Sequence, residues 1–311
     1  MNGIFDDLRN EFNKTGNAVV KLILINVIIY ATILVLRTVL HYALNSQVYE
    51  AVMSQIELPA SLNSFIYKPW TLITNFFVHE GFFHILFNML FLYWFGRVIE
   101  EYIGGRRVIA LYVIGGISGG LVFLLMYNVT PYLQSGLAGA TLVGASGGIF
   151  AIIVGLATLL PDYTVFLLFL GAVRIKYIAA FYILLSVAEL VGSNPGGNLA
   201  HLAGALVGFG FVKSLKSGID WGEPIYAFLD FVNALFTPRP SRPKMPRRER
   251  TPEPTVASSS NKKSKSEQVN GLDSTPDQDE IDSILDKISK SGYESLSREE
   301  KQKLYKASQQ N

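Results

Sequence analysis

The chain contains no cysteine, so it can build neither a disulfide framework nor a thiolate zinc site, and a cysteine nucleophile is excluded. Charge is scarce as well. Only 17% of the 311 residues are Asp, Glu, Lys or Arg, against 50% apolar residues and a mean hydropathy of +0.30. Much of such a chain must be solvated by lipid. The scarcity is also uneven, since residues 1–215 hold few charges while the remainder is crowded with Lys, Glu, Asp, Ser and Pro. A membrane body with a polar tail follows, an asymmetry that the near-neutral net charge of +2 hides, and no nucleic-acid partner is expected.

A helix needs about 20 mainly apolar residues to cross the hydrocarbon. Six segments approach that length: 19–40, 82–102, 108–128, 146–160, 174–192 and 199–216. The first is too long for a signal-peptide core and has no small-residue cleavage site close behind it, so it reads as a retained span. Basic residues mark the cytoplasmic side. Arg106, Arg107, Arg174, Lys176, Lys213 and Lys216 lie in or beside alternate connections, while 129–143 and 193–198 carry no charge. Both termini are then cytoplasmic.

The expected fold class is all-α, a polytopic six-helix bundle with a polar cytoplasmic tail. Its parts are a cytoplasmic N-terminus (1–18), the six-helix body (19–216), an amphipathic interfacial segment (217–237), a basic and disordered linker (238–275) and a short helical hairpin (276–311). The connection 41–81 is expected to lie partly in the outer interface, with Trp70 as an anchor. In WGEPIYAFLDFVNALF, Ile225, Phe228, Leu229, Val232 and Phe236 recur at helical spacing, which fits a helix on the inner surface or one packed on the body. TPRPSRPKMPRRER, with six basic residues and one acid, suits anionic headgroups. In the hairpin, Ile281, Ile284, Leu285 and Ile288 share a face, Gly292 is a terminator and SLSREE is a capping box. A cytosolic partner is expected for it.

Polar groups at membrane depth mark function by default. His84, Asn88, Ser146 and His201 all fall near helix ends on the outer side, in one layer. Asn88 follows His84 by one helical turn, so both project from one face. Gly147, Ala151 and Gly155 repeat every four residues in the fourth span, as do Ala200, Gly204 and Gly208 in the sixth, and such seams allow close backbone approach. Facing seams place Ser146 beside His201. Serine needs a neighbouring base to become a nucleophile, and histidine can take its proton and return it to a leaving amine. The oxyanion needs fixed donors, available from His84, Asn88 and the unpaired N–H groups where Ser146 opens a helix. No third carboxylate is evident, and Glu189 has no reason to reach His201, so a dyad is expected. GSNPGGN (192–198) reads either as a flexible lid above the dyad or as a tight turn. His41 and His79 read as interfacial residues.

Rival enzymes fail on geometry. His79 and His84 are five apart, about 140° around a helix, whereas a zinc HExxH needs histidines four apart on one face. No span carries an aspartate pair, and no metal or cofactor is expected. A transporter is disfavoured because no buried charge pair or repeated broken helix sits at the midplane.

HEGFFHILFNMLFLYWFGRVIEEYIG (79–104) resembles the second-helix region of rhomboid-family intramembrane serine proteases. GASGGIFA (144–151) resembles their nucleophile motif, and AHLAGALVGF (200–209) their sixth-helix histidine segment. The resemblance covers roughly residues 18–216. It implies Ser146 as nucleophile, His201 as base and acid, and His84, Asn88 and the Ser146 amide as oxyanion hole. It also implies substrates that are transmembrane proteins, and its non-enzymatic counterpart would be a silent membrane-protein binder or chaperone. Trp70-Thr71 departs from a common Trp-Arg in the first loop. Six spans without an extra one or an organelle-targeting presequence suggest a bacterial inner membrane.

Overall fold

The computed structural model describes residues 16–43, 45–167, 171–236, 278–291, 296–297, 299–301 and 303–304. The chain forms two compact units, Met1–Ser241 and Arg242–Asn311.

The first unit begins with α1 (Ala18–Tyr42), α2 (Ser46–Met53), β1 (Leu58–Pro59), α3 (Leu62–Tyr67) and α4 (Thr71–Thr74), followed by a 3-10 turn at Asn75–Phe77. Then come α5 (Phe82–Ile103), α6 (Gly105–Val129), α7 (Pro131–Gln134), β2 (Thr141–Leu142) and α8 (Ser146–Leu159). It closes with β3 (Thr164–Leu167), β4 (Gly171–Arg174), α9 (Ile175–Ala188), a 3-10 turn at Glu189–Val191, α10 (Pro195–Lys216) and α11 (Glu223–Phe236).

Each of the six apolar runs contains a helix. Among the described residues, α1, α5, α6 and α10 are long and apolar enough to cross a membrane. The other two have 14 residues each, close to the expected 146–160 for α8 and shorter than the expected 174–192 for α9. At 1.5 Å per residue they rise about 21 Å, less than the ~30 Å hydrocarbon. For α8 the reason is enclosure. A helix apolar all round is a buried one, and every residue from Gly147 to Leu156 is buried among α5, α6 and α10. The described residues are mostly helical, as expected, with two short antiparallel ladders that the expectation did not include, β1 with β2 and β3 with β4. These ladders satisfy backbone groups that the connections would otherwise leave unpaired.

α1 sits at the periphery and is held at its start and middle. Glu100 Oε1 accepts from the Ala18 amide at 2.6 Å, placing a carboxylate at the positive end of the α1 dipole. Deeper in, Asn26 Nδ2 donates to Tyr112 Oη, which donates to the Phe76 carbonyl. Within residues 45–81 the connection is tied to itself: Trp70, half exposed, donates from Nε1 to the Gln55 carbonyl at 2.8 Å.

GSNPGGN is no free loop, and the lid expectation is withdrawn. Pro195 is the first residue of α10, and Asn194 Oδ1 accepts from the Gly197 amide at 2.9 Å. Asn at the cap and Pro in the first turn are strong helix-start signals, so the sixth helix begins four residues before the expected 199. Gly196 packs on Phe123, where an added Cβ would come within 2.6 Å of the ring. Asn194→Ala should cost about 1 kcal/mol, read as a lower melting temperature in detergent.

α11 combines both expected roles. Ile225, Leu229 and Val232 are half-buried towards the body, while Phe228, Phe231 and Leu235 are exposed. Two ion pairs tether the segment: Arg106 to Asp230 at 2.7 Å and Arg107 to Asp220 at 2.8 Å. The first is exposed on both sides and contributes little. Asp220 is the better shielded anchor. Burial works against its charge, yet hydrogen bonds from Arg107, the Gly222 amide and Tyr226 hold its carboxyl below the ordinary value. A carboxyl lowered on folding adds stability above its unfolded pKa, near 4, and that stability is lost as pH falls through the folded value. Hydrogen exchange over 223–236 should therefore accelerate below about pH 4, and Asp220→Asn should show the fast exchange already at pH 7.

In the second unit, α12 (Gln278–Ser291) buries Ile284, half-buries Ile281 and Ile288, and leaves Leu285 half exposed. The expected capping box is formed, with the Ser297 amide donating to Glu300 Oε2 at 2.6 Å and the Glu300 amide to Ser297 Oγ at 3.3 Å. Lys287 pairs with Glu300 at 2.8 Å. The linker 238–275 and Gly292 lie outside the described residues.

Candidate active site

Ser146 opens α8, and His201 lies in the second turn of α10. Ser146 Oγ and His201 Nε2 are 2.8 Å apart, a hydrogen bond between separate helices. The small-residue seams bring them there. An added Cβ on Gly204 would overlap the Gly147 carbonyl, and one on Gly208 the Ala151 carbonyl. Gly147 in turn looks onto the Ala200 carbonyl. Gly155 also faces α10 but meets a side chain there, Val212, together with Leu111 of α6, rather than backbone. α6 is a third partner that the seam argument missed. Its Gly115 lies against Ala151 and its Gly119 against Ala200, where a Cβ would stand 2.6 and 3.0 Å from the facing Cβ.

The His201 ring is held on two further sides. Phe150 stacks on it at 4.2 Å and 7°, and Ser186 Oγ lies 3.3 Å from Nδ1. Phe150 could have been found from its place one turn after Ser146. Ser186 had a weaker signal, a lone hydroxyl in an apolar run. Glu189, on the 3-10 turn after α9, is exposed, so the fifth helix reaches His201 through a serine and not through a carboxylate.

Ser146, His84 and Asn88 line one cavity of about 630 Å³, together with Phe150, Ser186 and His201. Asn88 Nδ2 donates to the His84 carbonyl at 2.7 Å, which uses one of its two amide hydrogens and leaves the other. Gly144, at φ 122°, carries the chain across the His84 ring so closely that a Cβ would lie 2.8 Å from Nε2. Only glycine suits both demands. His79 is buried and packs edge-on against His84, with ring centroids 5.1 Å apart. His41 stays distant and exposed against Tyr42. Thr71 is fully buried, its hydroxyl donating to the Lys68 carbonyl at 2.6 Å, so a short neutral side chain fills this position.

At the opposite ends of these helices lie the basic residues. Arg174 and Lys176 pair with Asp162 at 3.3 and 2.7 Å, and Lys216 donates to the Thr158 carbonyl. The Lys176 hydrogen bond, aided by its charge and that of Arg174, holds the Asp162 carboxyl below its usual value.

Residues 67–216, which include every polar group of this cavity, match the family described as Rhomboid domain. RHOMBOID-like protein 5 of Arabidopsis thaliana is 32% identical over 161 residues, 50% of this chain and 48% of its own. Residues 67–216 of this chain are a rhomboid domain. RHOMBOID-like protein 6, mitochondrial, of the same plant is 29% identical over 160 residues, 50% of this chain and 47% of its own. A shorter match, 33% over 76 residues, covers 24% of this chain and 22% of Inactive RHOMBOID-like protein 8, also of Arabidopsis thaliana. This chain thus spans about half the length of these two curated relatives. Residues 267–310 match a family of unknown function, DUF6576. With this domain and its apolar helices, the chain is an integral membrane protein. These relatives are plant proteins, one of them mitochondrial by name, and they lend no support to the expected bacterial inner membrane.

Proposed function

We propose that the chain is an intramembrane serine endopeptidase working through a Ser146–His201 dyad. The observation that carries this reading is the 2.8 Å approach of Ser146 Oγ to His201 Nε2 inside a cavity. Ser146 Oγ attacks the peptide carbonyl while Nε2 takes its proton, and the imidazolium then protonates the leaving amine. Water enters by the same route in reverse to hydrolyse the acyl-enzyme. The developing oxyanion is stabilised by the Ser146 amide at the start of α8, by the free hydrogen of the Asn88 amide and by His84.

Substrates are membrane proteins cut in or near a transmembrane segment. A helical peptide bond is shielded by its own hydrogen bonds and must unwind to reach the serine, so small or helix-breaking residues near the outer interface favour cleavage. All six helices belong to the membrane body, with the dyad near the outer surface and the basic ends and both termini on the inner side. There the exposed face of α11 meets lipid, and the C-terminal hairpin is available to a soluble partner.

The test is cleavage of a labelled single-span substrate in proteoliposomes. Asn88→Ala should lower kcat about 10²-fold with little change in KM, because this donor acts on charge formed in the transition state. The likeness to an inactive relative motivates a second reading, a silent membrane-protein binder. Substrate capture without cleavage would favour it.

A further inference from the structure

The dyad leaves one nitrogen of His201 unexplained. When Nε2 takes the Ser146 proton, the ring becomes an imidazolium and Nδ1 also carries hydrogen. A charged N–H in an enclosed site needs an acceptor. Among the described residues, the hydrogen bonds of the His201 ring are the one to Ser146 and the one to Ser186, whose Oγ lies 3.3 Å from Nδ1.

We infer that Ser186 is a positioning residue: its Oγ accepts from His201 Nδ1–H, turns Nε2 towards Ser146 and supports the imidazolium during proton transfer. The placement of Ser186 within α9 is the second argument. α9 buries Ile175, Ile178 and Ala179 in its first half, and beyond them Ser186 is its one buried residue, 2% exposed, while Phe181, Leu184, Leu185 and Val187 face outward. Tyr182 and Ile183 are only half-buried against the core. The one fully buried side chain of this half is the one that meets the base. Phe150 fixes the plane of the ring by stacking, but an aromatic face cannot select which nitrogen points at Ser146. Ser186 can, and so the seating of α9 becomes part of the proton-transfer machinery.

The inference rests on the hydrolase reading for its kinetics but not for its spectroscopy. The full chain, labelled with 15N-histidine, is compared as wild type, Ser186→Ala and Ser186→Thr, with His201 assigned by substitution. Wild type should show hydrogen on Nδ1. Ser186→Ala should shift population to the Nε2–H tautomer and lower kcat about tenfold with KM nearly unchanged, a milder loss than that of a triad aspartate. Ser186→Thr keeps the hydroxyl and should restore both. A purely structural role would leave the tautomer unmoved. An unchanged His201 spectrum in Ser186→Ala, or a kcat within twofold of wild type in an active preparation, overturns the inference. If wild type itself never cleaves substrate, the hydrolase reading falls while the tautomer comparison still decides the role of Ser186.

Discussion

Ser146→Ala should leave a single-span substrate intact in proteoliposomes, with kcat at least about 10⁵-fold below wild type. The substitution deletes the one oxygen that both faces the cavity and sits 2.8 Å from the base. What survives is whatever the oxyanion donors and substrate binding achieve with water as nucleophile, some 10³-fold over the uncatalysed reaction. His201→Ala should be nearly as damaging, because Ser146 without a base is a neutral alcohol. The double variant should be little worse than either single one, since two groups acting as a unit are non-additive. Folding should be spared in Ser146→Ala, which loses one hydrogen bond worth about 1 kcal/mol. Equal melting temperatures with vanished cleavage would separate chemistry from stability.

Gly204→Ala should do the reverse, breaking the scaffold before the chemistry. A Cβ there overlaps the Gly147 carbonyl, a backbone atom that cannot rotate away. α8 and α10 would have to separate along the seam that aligns Ser146 with His201. Overpacking of this kind costs about 3 kcal/mol or more, seen as a large fall in melting temperature in detergent. Gly139 supplies the control. It has open space around its Cβ direction and an ordinary φ, so Gly139→Ala should stay within about 0.5 kcal/mol of wild type. A wild-type melting curve for Gly204→Ala would mean that the two helices do not approach so closely.

The four long apolar helices and the Ser146–His201 meeting were legible because each rests on a simple signal: apolar runs of membrane length, and small residues every fourth position. Other features leave no such trace. The enclosure of α8 by α5, α6 and α10 is one, because a local apolar run cannot reveal what will surround it. The β3–β4 ladder lacks the alternation that marks a half-buried strand. Ser186 is one hydroxyl on an apolar helix, and its meaning depends on the rotation of α9 against α10. The misreading of GSNPGGN is different in kind, because Asn194-Pro195 is a legible helix start that its glycines and lack of charge obscured. Gly155 shows the limit of the seam rule. Spacing gave its face correctly, but by that depth α10 presents Val212 and α6 presents Leu111.

The central claim is tested most directly by a fluorophosphonate probe applied to the reconstituted protein, followed by peptide mapping. Attachment to Ser146, lost in His201→Ala with the fold intact, is the predicted result. Labelling of a different residue, or labelling of Ser146 at the same rate with and without His201, would contradict the dyad.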